Sequence, residues 1–138
     1  MLSRIDHVGI AVRDLDRAIA IYEKRLGLKA TRRERLEGEG IEIAMIPIGD
    51  SRLELITPLH PQSRVEKFLQ DRGEAVHHIA YATDDVAASL KRAGEEGGEL
   101  LDERARPGAH GTRIGFVHPK SVCGVLTEFV EADGHPGR

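Results

Sequence analysis

The chain has no Trp, two Tyr and three Phe. So few rings leave little with which to stack nucleic-acid bases. Its single cysteine, Cys123, excludes a disulfide within the chain and suits a reducing, cytoplasmic setting. No apolar run approaches the roughly 20 residues that cross a bilayer as a helix. The opening Met-Leu-Ser-Arg-Ile-Asp lacks the apolar stretch of a signal peptide. A formal net charge of −3 offers no broad basic field to a nucleic acid. The expectation is a protein with neither a nucleic-acid nor a membrane partner. Its 138 residues, 40% hydrophobic and 31% charged, suit one soluble domain with a core of its own.

What is present is a repeat. His7-Val-Gly-Ile-Ala-Val-Arg-Asp14 returns, half a chain later, as His78-Ile-Ala-Tyr-Ala-Thr-Asp-Asp85. In both copies a His opens an apolar run and an Asp follows seven residues on. Matched imidazoles in two similar halves suggest two ligands for one metal ion.

The surrounding patterns also match. Ile5 to Val12 alternates as a strand, and Asp14 is placed to cap a helix. Leu15, Ala18, Ile19, Tyr22 and Leu26 recur at helical spacing, and Gly27 stands where a C-cap glycine belongs. Leu28 to Arg33 reads as a second strand. Ile41 to Ile46 and Arg52 to Thr57 read as a hairpin around Gly49-Asp50. In the second half, Val76 to Ala82 is a strand and Asp85 caps a helix running to about Ala93. Gly94, Gly97 and Gly98 end that helix. Leu100 to Arg104, Ile114 to Val117 and Val125 to Val130 supply the remaining strands.

Both halves thus read β-α-β-β-β, over about 3–60 and 75–131. A short helix at about 63–73 joins them, with Ser63 and Glu66 in a capping-box spacing and Val65, Phe68 and Leu69 as its apolar side. The tail from Ala132 is Gly, Pro and charge, and is expected to fray.

Strand parity explains why a ligand could fit. His7 shares a face with Gly9 and Ala11, and His78 shares one with Ala80 and Ala82. The bulkier Val8, Ile10 and Val12, or Ile79 and Tyr81, go to the other face. His77 falls on that core-side face. Small neighbours leave room beside each imidazole. A lone His on a strand is usually a packed structural residue; the repetition is what favours a ligand role.

Two imidazoles rarely suffice for a divalent ion. Glu54, within Arg-Leu-Glu-Leu-Ile, and Glu128, within Val-Leu-Thr-Glu-Phe-Val, each interrupt an apolar strand near the end of a half. A buried Glu is costly unless paired or bound to a cation. Taken singly, each could instead be a solvent-facing strand residue.

These residues carry a resemblance. Ile5-Asp-His-Val-Gly-Ile-Ala-Val, Glu74-Ala-Val-His-His-Ile-Ala, Arg106-Pro-Gly-Ala-His-Gly, His118-Pro-Lys-Ser and Gly124-Val-Leu-Thr-Glu resemble the methylmalonyl-CoA epimerase family. Leu55-Ile-Thr-Pro-Leu, Ser63 and Lys67-Phe-Leu fit it too. That family lies in the vicinal oxygen chelate superfamily (glyoxalase, bleomycin resistance, dioxygenase). The similarity covers about residues 3–131. It implies an α+β fold of two β-α-β-β-β modules whose mixed sheet curls around a metal site. It implies a divalent ion, cobalt foremost, with manganese, nickel or zinc as alternatives, held by His7, Glu54, His78 and Glu128. It implies epimerisation of (2R)- and (2S)-methylmalonyl-CoA through a metal-stabilised enolate, in a homodimer. Some members carry Gln at the position of Glu54.

Glu128 and Glu54 are the candidate catalytic carboxylates, Glu128 the stronger. Some epimerases have a further Glu on the preceding strand. Glu42 is the nearby candidate here, but an ungapped count puts Ile43 at that position. A two-residue turn at Gly49-Asp50 would set Met45 opposite Glu54 and aim Glu42 away. Lys120 is a candidate for the substrate carboxylate or a CoA phosphate; the alternative is a solvated turn lysine. His110 has no repeat partner and is not assigned as a ligand. Rival functions are a lactoylglutathione lyase, an extradiol dioxygenase with two His and one Glu, and a metal-free protein that sequesters small molecules.

Overall fold

The computed structural model describes residues 1–132, so the tail expected to fray lies almost wholly outside the described residues. Eight strands and three helices are found there: β1 Leu2–Ala11, α1 Leu15–Leu26, β2 Arg32–Leu36, β3 Ile41–Ile48, β4 Ser51–Pro58, α2 Arg64–Arg72, β5 Ala75–Thr83, α3 Val86–Glu95, β6 Arg106–Pro107, β7 Arg113–Val117 and β8 Thr127–Glu131. The chain divides into two compact units, one of His7–His77 and the other of Met1–Asp6 with the chain from His78 on.

In the His7–His77 unit the strand order is β2-β3-β4-β1. β3 runs antiparallel to β2 and β4, while β1 runs parallel to β4. The β3–β4 turn is the expected two-residue one, with Ile48 opposite Ser51. Gly49 takes φ 55, a left-handed value that such a turn wants at its first central position. Helix α1 starts where Asp14 accepts a hydrogen bond from the Arg17 amide at 3.0 Å and stops at the left-handed Gly27. Its Leu15 and Ala18 pack on Val12, Ala44, Ile46 and Leu55.

The other unit repeats this plan with order β5-β8-β7-β6. β5 and β8 are parallel, and β7 is antiparallel to β8 and β6. Asp85 caps α3 through the Ala88 amide at 3.0 Å. Val86 and Leu90 of α3 pack on Val117 and Phe129. Gly115 of β7 lies directly beneath Leu90.

Four local expectations are corrected. The strand read at Leu28 to Arg33 begins only at Arg32, because Leu28 and Ala30 fold onto the α1 core instead. Leu100 to Arg104 forms no strand beyond one bridge from Leu100 to Val117. There Asp102 turns inward to accept from the Phe116 amide at 2.9 Å, which breaks the extended run. The last strand starts at Thr127, two residues later than Val125. The capping box of α2 is half made. Ser63 accepts from the Val65 amide at 3.2 Å, but Glu66 goes to Arg13 at 2.7 and 2.8 Å. A guanidinium binding both carboxylate oxygens outcompetes a single backbone amide.

Candidate metal centre

Each unit builds the same imidazole–carboxylate pair. In the first, Gly9 of β1 lies opposite Glu54 of β4. Residues opposite each other across paired strands share a face, and His7 shares it by parity. His7 Nε2 stands 3.7 Å from Glu54 Oε2. In the second, Ala80 of β5 lies opposite Glu128 of β8, and His78 Nε2 stands 3.1 Å from Glu128 Oε1. The His is two residues before the partner of the Glu in both units. The pairs therefore have one register, although their residues are far apart in sequence.

All four side chains are buried: His7 and His78 are 3% exposed, Glu54 7% and Glu128 5%. The faces are as parity requires. Val12 and Leu55 point to α1, opposite in phase to His7 and Glu54. Tyr81 and Phe129 point to α3, opposite in phase to His78 and Glu128. Gly9, Ala11, Ala80 and Ala82 share the imidazoles' face on their own strands, while the neighbouring strands bring the bulkier Met45 and Ile56, or Phe116 and Val130, to that face. A hollow of about 330 Å³ beside α1 is lined by Ile10, Val12 and Tyr22, so it opens on the helix side of the sheet and away from the His7–Glu54 pair.

Other singled-out residues fall elsewhere. Met45, not Glu42, lies opposite Glu54. Glu42 is out of phase and meets Arg33 at 3.3 Å. Arg33 also binds Asp16 of α1, and these acidic partners, Asp16 first, raise its pKa above the ordinary value. His77 faces the core side and packs edge-on against Phe68 of α2, ring centres 4.9 Å apart. Lys120 is exposed on the short 3-10 turn after β7, where its amide donates to His118 Nδ1 at 3.0 Å. His110 lies in another short turn with φ 56, a left-handed backbone.

The sequence reading missed what surrounds His78. Phe116, opposite Glu128, meets the His78 ring edge-on at 5.6 Å between centres. The Arg106 guanidinium carbon stands 5.6 Å from the centre of the Phe116 ring. Asp102 holds Arg106 by its Nε at 2.9 Å. The four-residue spacing of Asp102 and Arg106 is visible in the sequence, but it suggests a helix pair, and no helix forms there.

The glyoxalase/bleomycin resistance protein/dioxygenase superfamily model matches residues 6–116. The chain belongs to this superfamily. Its α+β fold of two β-α-β-β-β modules is the superfamily's. A Streptomyces coelicolor methylmalonyl-CoA epimerase, solved with 2-nitronate-propionyl-CoA, superposes with TM-score 0.94 at 40% identity, covering 97% of each chain. A methylmalonyl-CoA epimerase solved with methylmalonyl-CoA and ammonium gives the same three values. An ethylmalonyl-CoA/methylmalonyl-CoA epimerase of Cereibacter sphaeroides is 34% identical over 130 residues, 93% of this chain and 97% of that protein. No helix among the described residues is long and apolar enough to cross a membrane.

Proposed function

We propose that this superfamily member is a methylmalonyl-CoA epimerase that removes and returns the proton at C2 of its substrate. The observation that carries this is the His–Glu pair built twice, at one register, on the face of each unit turned away from its helix. The full-length similarity to epimerases supports the substrate class.

The donor set fits a divalent ion. Two imidazoles and two carboxylates suit cobalt, manganese, nickel or zinc. Ligand bonds of about 2.0–2.2 Å place adjacent octahedral donors about 3 Å apart. The His78–Glu128 separation of 3.1 Å matches that edge, and the His7–Glu54 separation of 3.7 Å has to close slightly. Burial of both carboxylates gives a cation something to neutralise. In this proposal His7, Glu54, His78 and Glu128 hold one ion, and both modules serve a single catalytic domain. A bound ion supplies Lewis-acid polarisation of the thioester and carboxylate oxygens.

The chain's own groups supply the rest. Epimerisation needs a proton taken from one side of C2 and given back on the other. Glu54 and Glu128 come from different modules, and each is a carboxylate able to carry that proton. Glu128 is the first choice, because Phe116 lies opposite it and steadies His78 beside it. Gly9, Ala11, Ala80 and Ala82 leave space for the acyl group next to the imidazoles. Exposed Lys120 suits the phosphates at the far end of the CoA. Free Cys123 accords with a cytoplasmic setting, and the resemblance brings the expectation of a homodimer.

The test is solvent-deuterium incorporation at C2 of methylmalonyl-CoA, with metal content measured on the same sample. Exchange supports the epimerase. Bound metal with no exchange redirects the assignment to a lyase or dioxygenase of this superfamily. A protein that takes up no metal points to a small-molecule binder.

A further inference from the structure

The face of the second unit that bears His78 and Glu128 also carries a fixed cation. Arg106 of β6 lies opposite Ile114 of β7, so the two side chains share a face. Ile114 and Phe116 are two apart, and Phe116 lies opposite Glu128. Arg106 therefore projects to the His–Glu side of this unit, away from α3. Register alone puts it one strand beyond Phe116.

Its orientation is set from two directions. Asp102 uses one carboxylate oxygen to accept from Arg106 Nε at 2.9 Å and the other to accept from the Phe116 amide at 2.9 Å. One carboxylate thus ties the guanidinium to the strand that carries Phe116. The Phe116 ring has the guanidinium carbon 5.6 Å from its centre and meets the His78 ring edge-on with centres 5.6 Å apart. Arg106 is half-buried, its side chain 32% exposed. A planar cation so held keeps most of its strength toward a carboxylate, because little ordering is left to do on binding.

We propose, building on the epimerase assignment, that Arg106 recognises the free carboxylate of the acyl group and makes the site selective for a malonyl-type thioester over a simple acyl thioester. Asp102 and Phe116 act as positioning residues. Loss of the C2 proton sets an enolate charge next to the acyl carboxylate, so a fixed cation on the His78–Glu128 face favours an acyl group that carries that carboxylate. The phosphates of CoA are separated from the acyl carbon by the whole pantetheine arm. They do not compete for a guanidinium that stacks on the ring touching His78.

The test uses the full chain loaded with cobalt. Binding of methylmalonyl-CoA and propionyl-CoA, which differ by the carboxylate, is measured for wild type, Arg106→Gln, Arg106→Lys and Asp102→Asn. Wild type prefers methylmalonyl-CoA. Arg106→Gln lowers that preference about 10- to 100-fold, as loss of a charge-assisted hydrogen bond does. Arg106→Lys restores part of it, and Asp102→Asn loses part of it while keeping the cation. A purely structural role weakens both ligands alike and leaves the preference untouched, which overturns the proposal. If Arg106→Gln melts early, the other two variants decide, and an unchanged preference in both overturns it equally. Deuterium exchange by wild type is scored separately. Its absence removes the epimerase assignment, whereas an unaltered preference beside normal exchange removes only the role of Arg106.

Discussion

Glu42 and Glu54 sit on adjacent antiparallel strands and point to opposite faces of the sheet. Met45 is opposite Glu54, and Glu42 is an odd number of residues from Met45. Glu54 joins His7, while Glu42 meets Arg33 at 3.3 Å on the side of α1. A single residue of phase separates a buried carboxylate beside an imidazole from a surface ion pair.

Glu42→Ala should therefore leave C2 deuterium exchange within about 2-fold of wild type. Its effect on stability should be that of a half-exposed ion pair, up to about 1 kcal/mol. A drop in exchange of more than a hundredfold, with the fold intact, would place Glu42 in the chemistry and the strand phase in error.

Glu128→Gln keeps the size of the side chain and removes its basicity. Exchange at C2 should fall about 10²–10⁴-fold, the usual contribution of a positioned acid–base group. Metal content, read by elemental analysis, should persist at least in part. Undiminished exchange would take Glu128 out of proton transfer.

Chelation and dialysis should abolish exchange, and cobalt should restore it. Added ion should also raise the melting temperature, since binding to the native state at a hundred times Kd contributes about 2.7 kcal/mol. His78→Ala should blunt both responses. An equal thermal shift in that variant would locate the ion elsewhere.

Gly115 tests the packing of the second module. A Cβ there would come within 2.6 Å of Leu90 Cδ1, and Leu90 is 1% exposed with little room to retreat. Gly115→Ala should cost about 1–3 kcal/mol, as overpacked cores do, seen as a lower urea midpoint at unchanged slope. Exchange per folded molecule should survive, because Gly115 faces α3 and not the His–Glu pair.

The Arg13–Glu66 pair predicts an acid-dependent difference. Arg13 holds the Glu66 carboxyl below its ordinary pKa, chiefly by hydrogen bonding. A lowered native pKa means the unfolded chain takes up the proton first as pH falls. The stabilisation is then present above the unfolded pKa and lost as pH drops through the native one. Wild type should exceed Arg13→Ala in urea stability at neutral pH, and the gap should shrink toward pH 3. A gap that held constant with pH would show that Arg13 acts through packing alone.

Much of the candidate site is legible in the sequence. The His repeat, the Asp helix caps at Asp14 and Asp85, and the alternation of small and bulky residues are local signals, each written within a few consecutive residues. They gave His7, His78 and the two-module α+β plan, and the apolar strands interrupted by Glu54 and Glu128 made those two carboxylates candidates. The choice between Glu42 and Ile43 was also open to parity, once the Gly49-Asp50 turn was read as two residues.

Pairing over distance was not legible. Glu66 has a capping-box spacing to Ser63, yet it binds Arg13, which is remote in sequence. Leu100 to Arg104 looks extended, yet Asp102 turns in toward the Phe116 amide and the guanidinium of Arg106. Sequence alone determined which residues alternate, which cap and which recur, because those depend on backbone geometry between near neighbours. Only the tertiary structure decided that Asp102, Arg106 and Phe116 converge beside His78. A charged group settles on the strongest partner that folding brings within reach, and local spacing does not reveal which one that is.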